Sequence, residues 1–205
     1  MDTDKTTEKE RSDLDEWRAY GDGDVGALER LVEKYRRPLF GFLRRFTEDV
    51  GQAEEWFQET WVRAMRNPRA FTRPPLAPWL FRIAHNLVMD SFRRRRREGE
   101  MPGAATGEDG TRDDGGNDIP DEAAVSPDRV VATRELGARI GAAVAALPEA
   151  QRMTFSLRMD ARLPFREIAE MLGCPLGTVL ARMQYALDKL RAALADDYAE
   201  WKESR

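Results

Sequence analysis

The stretch Leu163–Leu190, LPFREIAEMLGCPLGTVLARMQYALDKL, decides the fold. Apolar residues recur at helical spacing from Phe165 to Leu172, Gly173 supplies a left-handed stop, and Pro175 begins a second helix carrying Val179, Met183, Ala186, Leu187 and Leu190. A helix-turn-helix needs a small residue where its helices cross, a glycine in the turn, and a branched apolar residue locking the second helix onto the first. Ala169, Gly173 and Val179 fill those roles at spacings of four and six residues. Taken alone, the three residues fit an ordinary helical hairpin equally well.

With Val179, Met183, Ala186 and Leu190 facing inward, the opposite face of the second helix offers Gly177, Leu180, Ala181, Gln184, Tyr185 and Asp188, with Thr178 and Arg182 at its margins. This is the face expected to enter a major groove. Gln184 suits adenine or plain solvation, while Thr178 and Arg182 suit phosphates near the helix N-terminus. Leu180 and Ala181 donate no hydrogen bonds. They either touch thymine methyls or leave readout to groove shape.

Upstream of this unit the helical pattern continues. Thr133 to Ala146 reads as a helix and Pro148 starts another with Phe155, Leu157 and Met159. The segment Glu98 to Pro127 holds six glycines, three prolines and nine acids with almost no large apolar residue, which predicts a disordered linker. Before it, Leu28, Leu31, Val32 and Tyr35 form one stripe that Leu39, Phe42, Leu43 and Phe46 continue beyond Pro38, a residue expected to break or kink the helix. A helix from Ala53 to Met65 follows, with Trp56, Phe57, Thr60, Trp61 and Ala64 on its apolar side. After the proline-rich loop NPRAFTRPPLAP, the run WLFRIAHNLVMDSFRRRRR (Trp79–Arg97) reads as a third amphipathic helix that passes directly into five arginines. No alternating, strand-like run appears. The expected fold is therefore all-α, with two small helical domains joined by a flexible acidic linker. Its limits are an acidic tail over 1–24, a first domain over 25–97, the linker over 98–127, a second domain over 128–196 and a tail over 197–205.

The net charge of −4 conceals an uneven distribution. Residues 1–24 carry −5, residues 25–97 carry +8, residues 98–126 carry −8 and residues 127–205 carry +1. A strongly basic first domain is the footprint of a polyanion binder, and a basic run that ends an ordered helix points to phosphates. Other classes recede. One cysteine, Cys174, excludes an intramolecular disulfide and a Cys-rich zinc module, and one histidine, His85, excludes most histidine metal clusters. Cys174, in the helix-turn-helix turn, is better suited to filling space than to redox switching. No stretch approaches the roughly 18 apolar residues of a spanning helix, and the N-terminus lacks the apolar core of a signal peptide, so a cytoplasmic protein without membrane insertion is expected. Scattered carboxylates and the absence of a glycine-rich phosphate loop argue against an enzyme, and no cofactor is expected.

The two domains resemble the sigma-70 family, specifically the short extracytoplasmic-function (group IV) sigma factors, which retain regions 2 and 4 on a flexible linker. Ala53, Glu54, Glu55, Trp56, Phe57, Gln58 and Glu59 match the Ala-Glu-Asp-hydrophobic-hydrophobic-Gln-Glu motif of region 2, with Glu55 in place of aspartate. Trp79, Leu80, Ile83, Ala84, Asn86 and Asp90 match a second motif of that region. Leu147, Pro148, Glu167, Ile168, Ala169, Leu172, Gly173, Gly177, Thr178 and Val179 match region 4, and Leu180 and Ala181 stand where Lys or Arg and then Ser are usual.

The resemblance implies a transcription initiation factor that binds bacterial core RNA polymerase and promoter DNA. Glu54, Glu55, Gln58 and Glu59 would dock on the coiled coil of the polymerase largest subunit. Asn86 with Arg93, Arg94, Arg95, Arg96 and Arg97 would hold the melted −10 strand, near the loop before Trp79. Arg166, Thr178, Leu180, Ala181, Arg182, Gln184 and Tyr185 would read the −35 duplex. The linker would thread the RNA exit path, its carboxylates imitating RNA, unless it merely solubilises. An anti-sigma factor covering both domains is a further implied partner. A stand-alone helix-turn-helix regulator and a sigma mimic that sequesters an anti-sigma factor are the competing readings. The first leaves the Ala53–Glu59 and Trp79–Asp90 motifs unexplained, and the second has no need of Arg93 to Arg97.

Overall fold

A computed structural model of the chain describes residues 13–66, 75–97, 99 and 127–195. The N-terminal residues 1–12, the proline-rich loop 67–74, nearly all of the expected acidic linker and residues 196–205 lie outside the described residues. Among the described residues the chain is entirely helical, with eight helices and no strand. These are α1 (13–21), α2 (Val25–Arg44), α3 (Val50–Arg66), α4 (Leu76–Arg97), α5 (Pro127–Ala145), α6 (Glu149–Met159), α7 (Phe165–Leu172) and α8 (Leu176–Ala193).

Helices α2, α3 and α4 form the first lobe. Asp24 caps α2, its carboxylate accepting from the Ala27 N–H at 3.3 Å. The helix then buries Leu31, Tyr35, Leu39, Phe42 and Leu43 along one stripe. Of the break or kink expected at Pro38, the break does not occur: the helix continues through that residue. A proline inside a helix costs about 3 kcal/mol. Three fully buried side chains downstream, Leu39, Phe42 and Leu43, each contribute roughly 1.5–3 kcal/mol, so packing outweighs the lost hydrogen bond. Phe42 meets Phe81 of α4 edge-on at 5.4 Å between ring centroids, fixing α4 against α2.

Residues 13–21, within the segment expected to be an acidic tail, form a helix docked on this lobe. Trp17 is 2% exposed and packs edge-on against Trp79 at 5.4 Å. Asp13 is buried, accepts from Tyr35 Oη at 2.6 Å and pairs with Lys34. Trp17, with a satisfied carboxylate one turn before it, Leu14 packed on the core and Tyr20 5.7 Å from the Trp17 ring, anchors this short helix.

The second lobe is α6, α7 and α8, with α5 laid against α8. Val144, Leu147, Phe155, Met183, Ala186 and Leu190 form its own apolar cluster. The remaining buried residues of α6 to α8 pack differently from expectation. Met153, Leu157, Leu163, Ile168, Ala169, Met171 and Val179 belong to the same buried cluster as α2, α3 and α4. Two lobes cooperating through a tether were expected; in the structure they share an apolar seam in which α4 meets α7. Polar contacts flank that seam. The Arg152 guanidinium lies 5.4 Å above the Phe46 ring, Arg45 Nε stands 3.6 Å from Asp160 Oδ2, and Arg96 donates to Glu149 at 3.1 Å.

Candidate nucleic-acid interface

The helix-turn-helix forms as its spacing predicts. Gly173 ends α7 in the left-handed region at φ +61°, and the Cys174 N–H returns to the Ala169 carbonyl at 3.1 Å. Only glycine adopts that backbone without a steric penalty from a Cβ. Pro175 then precedes α8, whose first turn has no side-chain cap, while Thr178 and Val179 return to the Pro175 carbonyl. Val179 is fully buried and Met183, Ala186 and Leu190 face inward with it.

The outer face of α8 is as the periodicity requires. Gly177, Leu180, Ala181, Gln184, Tyr185 and Asp188 are exposed, and Arg166 is exposed on α7. Thr178 and Arg182 are half-buried at the margins. Their side chains are not equally available. Gln184 Nε2 donates to Asp188 Oδ1 at 3.0 Å, and Arg191 donates to the same oxygen at 3.1 Å. Arg182 Nη1 lies 3.6 Å from Cys174 Sγ, and its side chain lines a cleft of about 260 Å³ with His85, Met89 and Arg93 of α4 and Glu149, Ala150 and Met153 of α6. Arg182 and Arg93, assigned from sequence to two separate surfaces, thus border one space.

On α3, burial of Ala53, Trp56, Thr60, Trp61 and Ala64 turns Glu54, Glu55 and Gln58 outward. Thr60 is satisfied internally, donating to the Trp56 carbonyl at 2.7 Å. Glu55 accepts from Gln52 at 2.9 Å. Glu59 is half-buried and accepts from Arg63 at 2.8 Å, and that hydrogen bond holds its carboxyl below the usual carboxylate range. Three of the four expected docking residues are exposed together, and the fourth is engaged along its own helix.

On α4, Asn86 is exposed and its Oδ1 lies 3.2 Å from His85 Nδ1. The arginine run continues the helix to Arg97. Arg93 pairs with Asp90 at 3.3 Å, Arg96 with Glu149, and Arg97 donates to the Arg93 carbonyl at 3.3 Å. The seam residues Arg45, Arg152 and Asp160 were missed by sequence reasoning, and Phe46, read as part of the first lobe's stripe, was not expected to meet Arg152. They lie far apart along the chain, and no local spacing marks them as partners. Among the described residues no group of histidine, cysteine, aspartate and glutamate is placed to hold a metal ion, and no helix is long and apolar enough to cross a membrane.

Comparison with known proteins agrees with this arrangement. Residues 31–98 match the Sigma-70 region 2 family and residues 143–192 match the Sigma-70, region 4 family. The chain is 32% identical over 189 residues to the ECF RNA polymerase sigma factor RpoE of Cereibacter sphaeroides, covering 89% of this chain and 97% of that protein. It is 31% identical over 173 residues to the RNA polymerase sigma-H factor of Pseudomonas aeruginosa, covering 84% and 88% respectively. Among solved structures, CnrH in complex with the cytosolic domain of CnrY superposes with a TM-score of 0.63 at 23% identity, over 91% of this chain and 99% of that one. RpoE of Bartonella quintana, solved with the anti-sigma factor NepR, gives 0.61 at 21% identity, over 83% and 98%. These two likenesses concern the fold. A matched region 2 ahead of a matched helix-turn-helix leaves no place for a stand-alone regulator, and the chain belongs to the ECF RNA polymerase sigma factors of the sigma-70 family, non-enzymatic proteins that direct transcription initiation.

Proposed function

We propose that this sigma factor divides its work between the two lobes as follows. The lobe within residues 25–97 docks on the coiled coil of the largest polymerase subunit through Glu54, Glu55 and Gln58, with Glu59 at the edge. It holds the melted −10 strand through Asn86 and Arg93 to Arg97. Capturing an extruded base costs a few kcal/mol, which phosphate contacts from the arginine run and stacking offset. The lobe within residues 128–196 reads the −35 duplex through Arg166, Thr178, Leu180, Ala181, Arg182, Gln184 and Tyr185. The acidic segment 98–127 connects them inside the polymerase, and an anti-sigma factor binding across both lobes restrains the protein in the cytoplasm.

The observation that carries the docking assignment is the α3 face. Exposed carboxylates at Glu54 and Glu55 and the Gln58 amide stand together on a helix whose other side is pinned by Trp56 and Trp61. Such a rigid acidic ridge complements a basic helical partner and favours rapid, oriented encounter. Glu55→Arg reverses that charge at an exposed position and leaves the buried side untouched. The expected result is loss of core polymerase in a pull-down with an unchanged helical spectrum; undiminished capture refutes the assignment.

A further inference from the structure

We propose that α8 recognises duplex DNA chiefly through the 5-methyl groups of thymine, with Leu180 as the principal contact and Ala181 and Tyr185 beside it. The proposal rests on the −35 reading given above and names what that surface reads.

Three of the seven exposed large apolar side chains among the described residues stand on this one helix: Leu176 at 39%, Leu180 at 45% and Tyr185 at 60% exposure. Leu176 and Leu180 lie one turn apart on one flank of the outward face, and Tyr185 lies on the other. Between them Gly177 and Ala181 keep the centre of the face low. A Cβ built on Gly177 would meet nothing within 4 Å, so the fold of the chain itself does not demand glycine there. Glycine within a helix is nonetheless about 1 kcal/mol worse than alanine. A low centre between two apolar flanks suits close approach to a groove floor.

Hydrogen-bonding readout has few agents on this face. Guanine is read best by a bidentate arginine, yet Arg182 turns toward Cys174 and the cleft against α4. Arg191 is held by Asp188, and the Gln184 amide nitrogen is directed along the helix to the same carboxylate. The exposed cation Arg166 on α7 and the uncapped start of α8 serve phosphates and set position without reading sequence. What remains in reach of base edges is mainly carbon, the Leu180 and Ala181 side chains and the Tyr185 ring, with the Tyr185 and Thr178 hydroxyls at its margins. The one apolar feature of the major-groove edge is the thymine methyl, so that group is the complementary partner.

The test uses holoenzyme assembled from core RNA polymerase and the full chain. Duplexes randomised across the upstream contact window are selected for binding, and the enriched duplexes are remade with deoxyuridine replacing each thymine singly, which deletes only the methyl. Each contacted methyl should be worth about fourfold in Kd. Holoenzyme carrying Leu180→Ala should bind the thymine and uracil forms of at least one such position equally, with the variant melting like the native chain. Equal binding of thymine and uracil forms throughout, by sites that still outcompete random duplex, overturns the proposal and leaves the −35 assignment standing. Absence of any enriched upstream sequence overturns both.

Discussion

At the scale of single residues, His85 ties stability to pH. Burial holds its imidazole below the ordinary value of 6.5, and Arg93 and Arg82 act in the same direction against the Asn86 hydrogen bond and Asp90. From the second lobe, Arg182 and Glu149 border the same cleft. A base with a depressed folded pKa stays neutral in the native state while the unfolded chain takes up protons. Its contribution is therefore complete above 6.5 and is lost as pH falls through that value toward the folded pKa. The urea midpoint should drop as pH falls from about 7 through 6.5, and His85→Gln should flatten that drop, as measured by tryptophan fluorescence. The position of His85 on a helix beside core residues was legible in the sequence. The lobe that covers it was not, because that cover comes from α6 and α8, more than 50 positions along the chain.

At the scale of elements, boundaries were legible wherever backbone chemistry writes them. Gly173 and Pro175 fixed the turn between α7 and α8, and the Trp79 pattern ran into Arg97 without a break, as observed. Two elements were read less well, for opposite reasons. The pattern around Pro38 suggested an interruption because local rules weigh the proline and not the buried side chains beyond it. The sequence before Asp24 suggested a tail because three apolar residues, Leu14, Trp17 and Tyr20, among many acids are a short pattern beside the segment's charge. The first case yields a stability prediction. Pro38 sits inside α2, so Pro38→Ala restores a hydrogen bond and should stabilise the protein by about 1–3 kcal/mol, raising its urea midpoint without loss of polymerase binding. A lowered midpoint would mean that the pyrrolidine ring itself is a packing element.

At the scale of the whole molecule, the all-helical class and the two matched regions were legible from composition and motif order, whereas the packing of one lobe on the other depends on contacts that no local pattern encodes. The Arg96–Glu149 pair is largely exposed and worth at most about 1 kcal/mol, so the seam is held mainly by its apolar residues, with Arg45 placed 3.6 Å from the partly buried Asp160 carboxylate. Burial raises the Asp160 carboxyl above the usual range, and Arg45 opposes that rise. Arg45→Asp would place two carboxylates together in a half-buried site at a cost of about 3 kcal/mol, and small-angle scattering should show an enlarged radius of gyration that Asp160→Arg reverses. In the packed form Arg93 and Arg182 face the same cleft. The account as a whole is tested most directly by transcription in vitro: core polymerase supplied with this chain should begin at a discrete set of promoters that it ignores alone, and should lose them with Glu55→Arg. The absence of new start sites, or their persistence with that variant, would contradict it.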